Sequence, residues 1–193
     1  MAINISPDSV MEKNQRILTY KFLSLAFLYP TEERKGKIKN MVGFIKNRTN
    51  LMENFLKEYE KIQDLQSTYI SLFDSECGGI IPPYEGAYFD LFLRPYVVIS
   101  VEREYIKDGL ICSSEFLPDH ISCEFEFMSL LLLDGKYDRA KEFFVKHIGN
   151  WVPLFVRKLK DSTDSIYAGI GDFTDRFIRS ERKMFYTERR DFQ

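Results

Sequence analysis

The chain has 193 residues, 45% of them hydrophobic, with 17 Phe, 11 Tyr and a formal net charge of −2. That apolar content excludes global disorder, and the near-neutral charge excludes a generally basic surface of the kind that binds nucleic acid. The length suits one domain over 1–193, with a locally basic stretch from Arg176 to Arg190 that reads as a solvated helix end and tail.

The first residues carry Asp8 and Glu12 rather than a basic stretch followed by an apolar run, so no export signal is expected. The apolar run from Phe22 to Tyr29 is too short to cross a bilayer and stops at Pro30. A cytoplasmic protein without an integral membrane segment is the resulting expectation. Cys77, Cys112 and Cys123 are scattered and form no C-x-x-C pair, which indicates neither a disulfide framework nor a zinc knuckle and leaves the thiols reduced.

In chain order, Met11, Leu18, Phe22, Leu25 and Tyr29 form one helical stripe, opened by a capping box at Ser9–Glu12 and closed by Pro30. A second helix follows Thr31 and weakens near Gly43. Leu51, Phe55, Tyr59, Ile62, Leu65, Tyr69 and Leu72 step by three or four and predict a long third helix. Cys77 to Pro83, with paired glycines and paired prolines, is a loop. Tyr84 to Leu93 reads as a short helix ended by Pro95, and Tyr96 to Asp108 as another ending near Gly109. Leu110 to Pro118 is irregular. Asp119 is placed to cap a helix whose stripe is Ile121, Phe125, Met128 and Leu132, ended by Gly135. Tyr137, Ala140, Phe144 and Ile148 mark the next, with Gly149 as its left-handed cap. Asn150 caps the one after, with Pro153 in its first turn, and Ile166, Ile170, Phe173 and Phe177 mark the last. No strand-like alternation and no internal repeat competes, so the fold class is all-α: a single-domain bundle of about eight to ten helices.

Two constellations carry chemistry. Pro82-Pro83-Tyr84-Glu85 fixes an aromatic ring and a carboxylate at a stiff loop end, a platform that suits peptide recognition because little ordering entropy is lost on binding. Asp119, His120, Glu124 and Glu126 gather at one helix start. The spacing of His120 and Glu124, with Asp119, allows a metal site in principle, but no H-E-x-x-H is present and the only other histidine is His147, so an acidic rim of Asp119, Glu124 and Glu126 facing a cationic partner is the better reading. His147, Trp151, Pro153 and Phe155 read as a packed helix corner. No nucleophile motif is present.

In their order along the chain, Tyr69-x-x-Leu72-Phe73, Pro82-Pro83-Tyr84-Glu85, Pro118-Asp119-His120-Ile121 and His147-Ile148-x-x-Trp151-x-Pro153-x-Phe155 resemble the TorD/DmsD/NarJ family of redox-enzyme maturation chaperones. The resemblance implies an all-α chaperone without enzyme activity, and the lack of any complete ligand set around His120, His147 or the cysteines predicts no bound cofactor. Such a chaperone would bind the N-terminal signal peptide of a molybdoenzyme catalytic subunit, often a twin-arginine one, and assist cofactor insertion, assembly and export. The resemblance assigns peptide binding to Tyr84, Glu85, Asp119 and His120, with Pro82 and Pro83 as scaffold. The residue chemistry adds Glu124, whose carboxylate can meet a peptide arginine, and no metal is expected. The family's loop usually continues with Ser, where this chain has Gly86. A helical adaptor that docks a partner helix shares the same composition, and an all-α metal-dependent enzyme using Asp119, His120 and Glu124 is a third reading. Monomer and homodimer both stay open.

Overall fold

The computed structural model describes residues 7–45, 53, 56–57, 59–74, 80–113, 115–162 and 166–187. Among them are eight α-helices: α1 (Pro7–Ala26), α2 (Glu32–Val42), α3 (Ile62–Phe73), α4 (Arg94–Lys107), α5 (Ile121–Leu133), α6 (Tyr137–Lys146), α7 (Ile148–Asp161) and α8 (Ile166–Thr187). Two short 3-10 segments, Glu85–Tyr88 and Leu91–Leu93, precede α4. No strand occurs among the described residues, so the fold is all-α as the periodicity predicts. None of these helices is long and apolar enough to cross a membrane.

The sequence of α5 is apolar on nearly every side, and such a helix can only be stable inside a core. Ile121, Phe125, Met128 and Leu132 are buried as expected, joined by Phe127 and Leu131. The most extensive helix pairing is α1 along α5. Rings of Tyr20 and Phe27 meet Phe125 at centroid distances of 5.9 and 6.3 Å. Phe155 of α7 continues the cluster, 5.3 Å from Phe27 and 6.1 Å from Phe73. Tilted and edge-on ring pairs of this kind add to the stabilisation that burial of their area provides.

One polar contact closes this core. The Arg16 guanidinium on α1 donates from Nε and Nη2 to the two oxygens of Glu181 on α8, at 2.7 and 2.9 Å. Tyr20 Oη donates to the same carboxylate at 2.9 Å. Glu181 is only 1% exposed, so its charge is sustained by this fork and the phenol.

Several boundaries differ from the sequence reading, each for a physical reason. Backbone helix begins at Pro7, whose missing N–H costs nothing in a first turn, so Ser9 lies inside α1 instead of capping it. The long third helix is interrupted at Glu60 and Lys61, and α3 starts at Ile62. Leu51, Phe55 and the segment Cys77–Gly79 lie outside the described residues. Tyr84–Leu93 is two 3-10 pieces, and Pro95 opens α4 instead of ending what precedes it. Gly109 and Gly135 have φ of 76° and 73° and terminate α4 and α5. In both cases the N–H groups of the glycine and of the next residue turn back to the last helical carbonyls, Leu110 to Tyr105 and Lys136 to Leu131, in Schellman fashion.

Gly149 is not a left-handed cap. It sits in the first turn of α7, with only His147 between α6 and α7. Asn150, expected to cap the following helix, instead caps the end of the preceding one, where its Nδ2 donates to Val145 O at 3.0 Å and Lys146 O at 2.9 Å. Pro153 lies beyond the first turn and leaves the carbonyl of Gly149 without its helical donor. Arg182 Nη2 supplies one from α8 at 2.5 Å.

Replacing Glu181 with Ala strands Arg16 and removes the acceptor of Tyr20. Urea unfolding of E181A is expected to show a loss of about 3–5 kcal/mol, the range for breaking a buried pair from one side.

Candidate functional site

The Pro-Pro-Tyr-Glu loop folds back onto the start of α5. Tyr84 is extended, with φ −123° and ψ 132°, and pairs with His120 as an isolated antiparallel bridge. Two backbone hydrogen bonds make that bridge: Glu85 N donates to Asp119 O and Ile121 N donates to Pro83 O, both at 2.9 Å. The prolines stiffen the approach, and the pairing satisfies backbone groups that would otherwise be stranded at the buried end of α5. Gly86 N extends the ladder by donating to Asp119 Oδ2 at 2.9 Å. A Cβ on Gly86 would lie 3.1 Å from that oxygen and 3.4 Å from Arg94 Cα. The residue without a side chain therefore lets the carboxylate come close to the loop backbone, where no hydroxyl is needed.

Because Asp119 is committed to the loop, His120 is the cap of α5. Its Nδ1 accepts from Ser122 N at 3.2 Å, so the ring proton sits on Nε2. The imidazole contacts the rings of Tyr84 and Phe116, at centroid distances of 5.0 and 4.6 Å. Burial pushes its pKa down to about 3, which keeps it neutral and able to accept.

Beneath the loop lie two further carboxylates. Glu85 Oε2 shares a 2.8 Å hydrogen bond with His147 Nδ1, and Trp151 Nε1 donates to Glu124 Oε2 at 2.9 Å. Burial, and after it the negative field of Glu85, pushes the Glu124 carboxyl well above the usual carboxylate range, against the opposing pull of the Trp151 N–H. Burial also raises Asp119, while the Gly86 N–H works the other way.

Tyr84 and Asp119 therefore occupy one site, and the loop draws Glu85, His120 and Glu124 into it. Their setting differs from the exposed acidic rim expected from sequence. Glu85 is 2% exposed, Asp119 2%, His120 1% and Glu124 0%, leaving Tyr84 as the half-buried member. Glu126 is half-buried and held by Lys21 Nζ at 2.5 Å. The loop does not project outward. It covers the helix start, and the carboxylates of Glu85 and Glu124 turn inward to side-chain donors beneath it. His147 and Trp151, read from sequence as a mere helix corner, are those donors. The signal was present in the composition: acids set among apolar residues need partners, and these are the second histidine and the single tryptophan of the chain. No group of three His, Cys, Asp or Glu side chains among the described residues is placed to hold a metal ion.

Beyond the loop, large apolar side chains stand in solvent. Following the buried Glu85 and Gly86, Phe92 is 84% exposed, Leu91 67% and Tyr96 71%, with Phe89, Leu93 and Ile99 also exposed.

The family model described as nitrate reductase delta subunit matches residues 44–157, more than half of the chain, and this span includes both halves of the bridge. The chain belongs to the nitrate reductase delta subunit family. This is the NarJ branch of the resemblance seen in the motifs. The architecture of this delta-subunit family member is similar to a crystal structure from Archaeoglobus fulgidus, described as a candidate redox enzyme maturation protein. That likeness has a TM-score of 0.66 and 24% sequence identity, and covers 84% of this chain and 93% of that one; it is a likeness of fold. Comparison with curated protein sequences finds no match.

The raised Glu124 pKa has a sign that can be checked. A folded state that holds a proton above the unfolded carboxylate range loses stability as pH rises past that range, and the full contribution is present only below it. Glutamine keeps an acceptor for Trp151 and has no proton to lose. Thermal melts of E124Q should therefore exceed wild type by a few degrees at pH 8, with the difference shrinking towards pH 4. A pH-independent difference would show that Glu124 is not held neutral.

Proposed function

We propose that this delta-subunit family protein is a cytoplasmic chaperone, without catalytic activity, for the maturation of a molybdopterin oxidoreductase. It binds the N-terminal or signal-peptide segment of the enzyme precursor and holds it during cofactor insertion, assembly and export. The observation that carries this reading is the exposed apolar run from Phe89 to Ile99, directly after the buried loop. Large apolar side chains left in water mark recognition surfaces when they cluster. Tyr96 and Ile99 are three apart on α4 and share a face, which suits the apolar part of a signal peptide.

In this reading Tyr84, Glu85, Asp119, His120 and Glu124 serve the peptide in two ways. Tyr84 stands at the edge, half in solvent, where it can touch the ligand. The other four, with Pro82 and Pro83 as scaffold, hold the loop rigid so that the run beyond it is presented in one arrangement, and preorganisation of this kind reduces the entropy lost on binding. The cationic start of the peptide meets Asp90 and Glu102, carboxylate side chains that lie exposed beside the apolar run.

The test uses the full chain and synthetic peptides from the N-terminus of a molybdoenzyme captured with it from native cytosol, with and without paired arginines. The double variant F92S/Y96S removes two exposed side chains and should leave the melting temperature unchanged. Its peptide affinity should fall by about tenfold or more, as expected for losing aromatic anchors. Unchanged affinity in that variant would remove this surface from the reading, and failure to capture any molybdoenzyme would remove the client.

A further inference from the structure

Two of the three cysteines meet in space. Cys112 lies in the irregular stretch 110–113 and Cys123 in the first turn of α5, and their sulfur atoms are 3.1 Å apart across a separation of 11 residues. Both are free and partly exposed. Beside Cys112, Ile111 is 91% exposed, so a small molecule in solution can reach this thiol. Together the two sulfurs form part of the wall of a cavity of about 290 Å³, whose other lining includes Leu25, Leu28, Phe127 and Leu130. None of this belongs to the bridge or to the exposed apolar run, and neither thiol is used in the reading of client binding.

We propose that Cys112 and Cys123 are a modification site: they close reversibly to a disulfide with a low-molecular-weight disulfide as oxidant, tying the stretch 110–113 to the start of α5. A disulfide bond is about 2.05 Å long, so the sulfurs need to move together by about 1 Å, which a loop residue can supply. The order of reaction follows from position: Cys112 stands on the loop beside the exposed Ile111, whereas Cys123 is held in helix α5. The hydrogen bond with Cys123 lowers the Cys112 pKa, while that same bond and burial raise Cys123. Cys112 is thus the thiolate that attacks. It forms a bond to one sulfur of the oxidant, whose S–S bond breaks, and releases one small thiolate. Cys123 then gives up its proton to solvent and attacks the Cys112 sulfur of the mixed disulfide, releasing the second small thiolate. Two protein thiols lose two electrons and two protons, and one small disulfide becomes two thiols. The closed ring spans Phe116, Pro118, Asp119 and His120, so closure fixes the backbone that carries the strand-like half of the site.

The experiment poises the full-length wild-type protein in glutathione and glutathione disulfide at increasing oxidation. The protein is then quenched in acid, denatured, alkylated and weighed intact. At the oxidising end one alkylatable thiol should remain of the three, with a non-reducing peptide map joining Cys112 to Cys123, reversal by dithiothreitol and a higher melting temperature. C77S should show the same dependence with no thiol left. C123S should stop at a glutathione adduct on Cys112, which marks the order of attack. Three alkylatable thiols throughout the series, a link through Cys77 or a link between chains would each overturn the proposal. None of these outcomes bears on client binding, which is tested separately by F92S/Y96S.

Discussion

Two backbone hydrogen bonds, between Glu85 N and Asp119 O and between Ile121 N and Pro83 O, set the rest of the site. They bring a proline-stiffened loop onto the start of the most buried helix, two regions separated by some thirty residues of chain. Once that docking is made, Glu85, Asp119, His120 and Glu124 lose their access to water, and only Tyr84 stays half in solvent. Glu85 and Glu124 must find donors inside, and His147 and Trp151 on the other side of the core supply them. The cost of burying carboxylates is met by local hydrogen bonds and, at Glu124, by retention of the proton.

The same docking explains the division between inside and outside. The loop spends its polar groups on the helix start, the first 3-10 segment packs Tyr88 against Trp151, and the chain then emerges through the second, Leu91–Leu93, which has no buried residue. Leu91, Phe92 and Tyr96 therefore face solvent, just beyond the docked loop. A rigid, inward-facing polar anchor carrying an outward apolar face is a sound basis for recognising an extended, partly apolar segment, because the surface need not be ordered at the moment of binding.

Elsewhere the bundle meets its backbone obligations with side chains from distant helices. Arg182 on α8 serves the carbonyl that Pro153 leaves free in α7, and Arg16 and Glu181 join the first helix to the last. These contacts tie both ends of the described chain to the core around α5, and they hold in place the α6–α7 corner on which His147 and Trp151 sit.

The sequence by itself determined the helical class, most of the helix faces and the motifs that mark the family, because these depend on spacing along the chain. Ile121, Phe125, Met128 and Leu132 at helical intervals can bury together only on a helix, and paired prolines cannot continue one. It also brought Tyr84, Glu85, Asp119 and His120 together as candidates. Only the tertiary structure decided which way they face. Asp119 reads as a helix cap to its local sequence, since a carboxylate before a helix normally takes the free N–H groups there. Gly86, distant in sequence and without a side chain to intervene, captured that carboxylate and passed the cap to His120. The approach of Cys112 to Cys123 was hidden for the same reason: spacing along the chain says which residues share a helix face, whereas the path of an irregular loop is set by the surfaces it packs against.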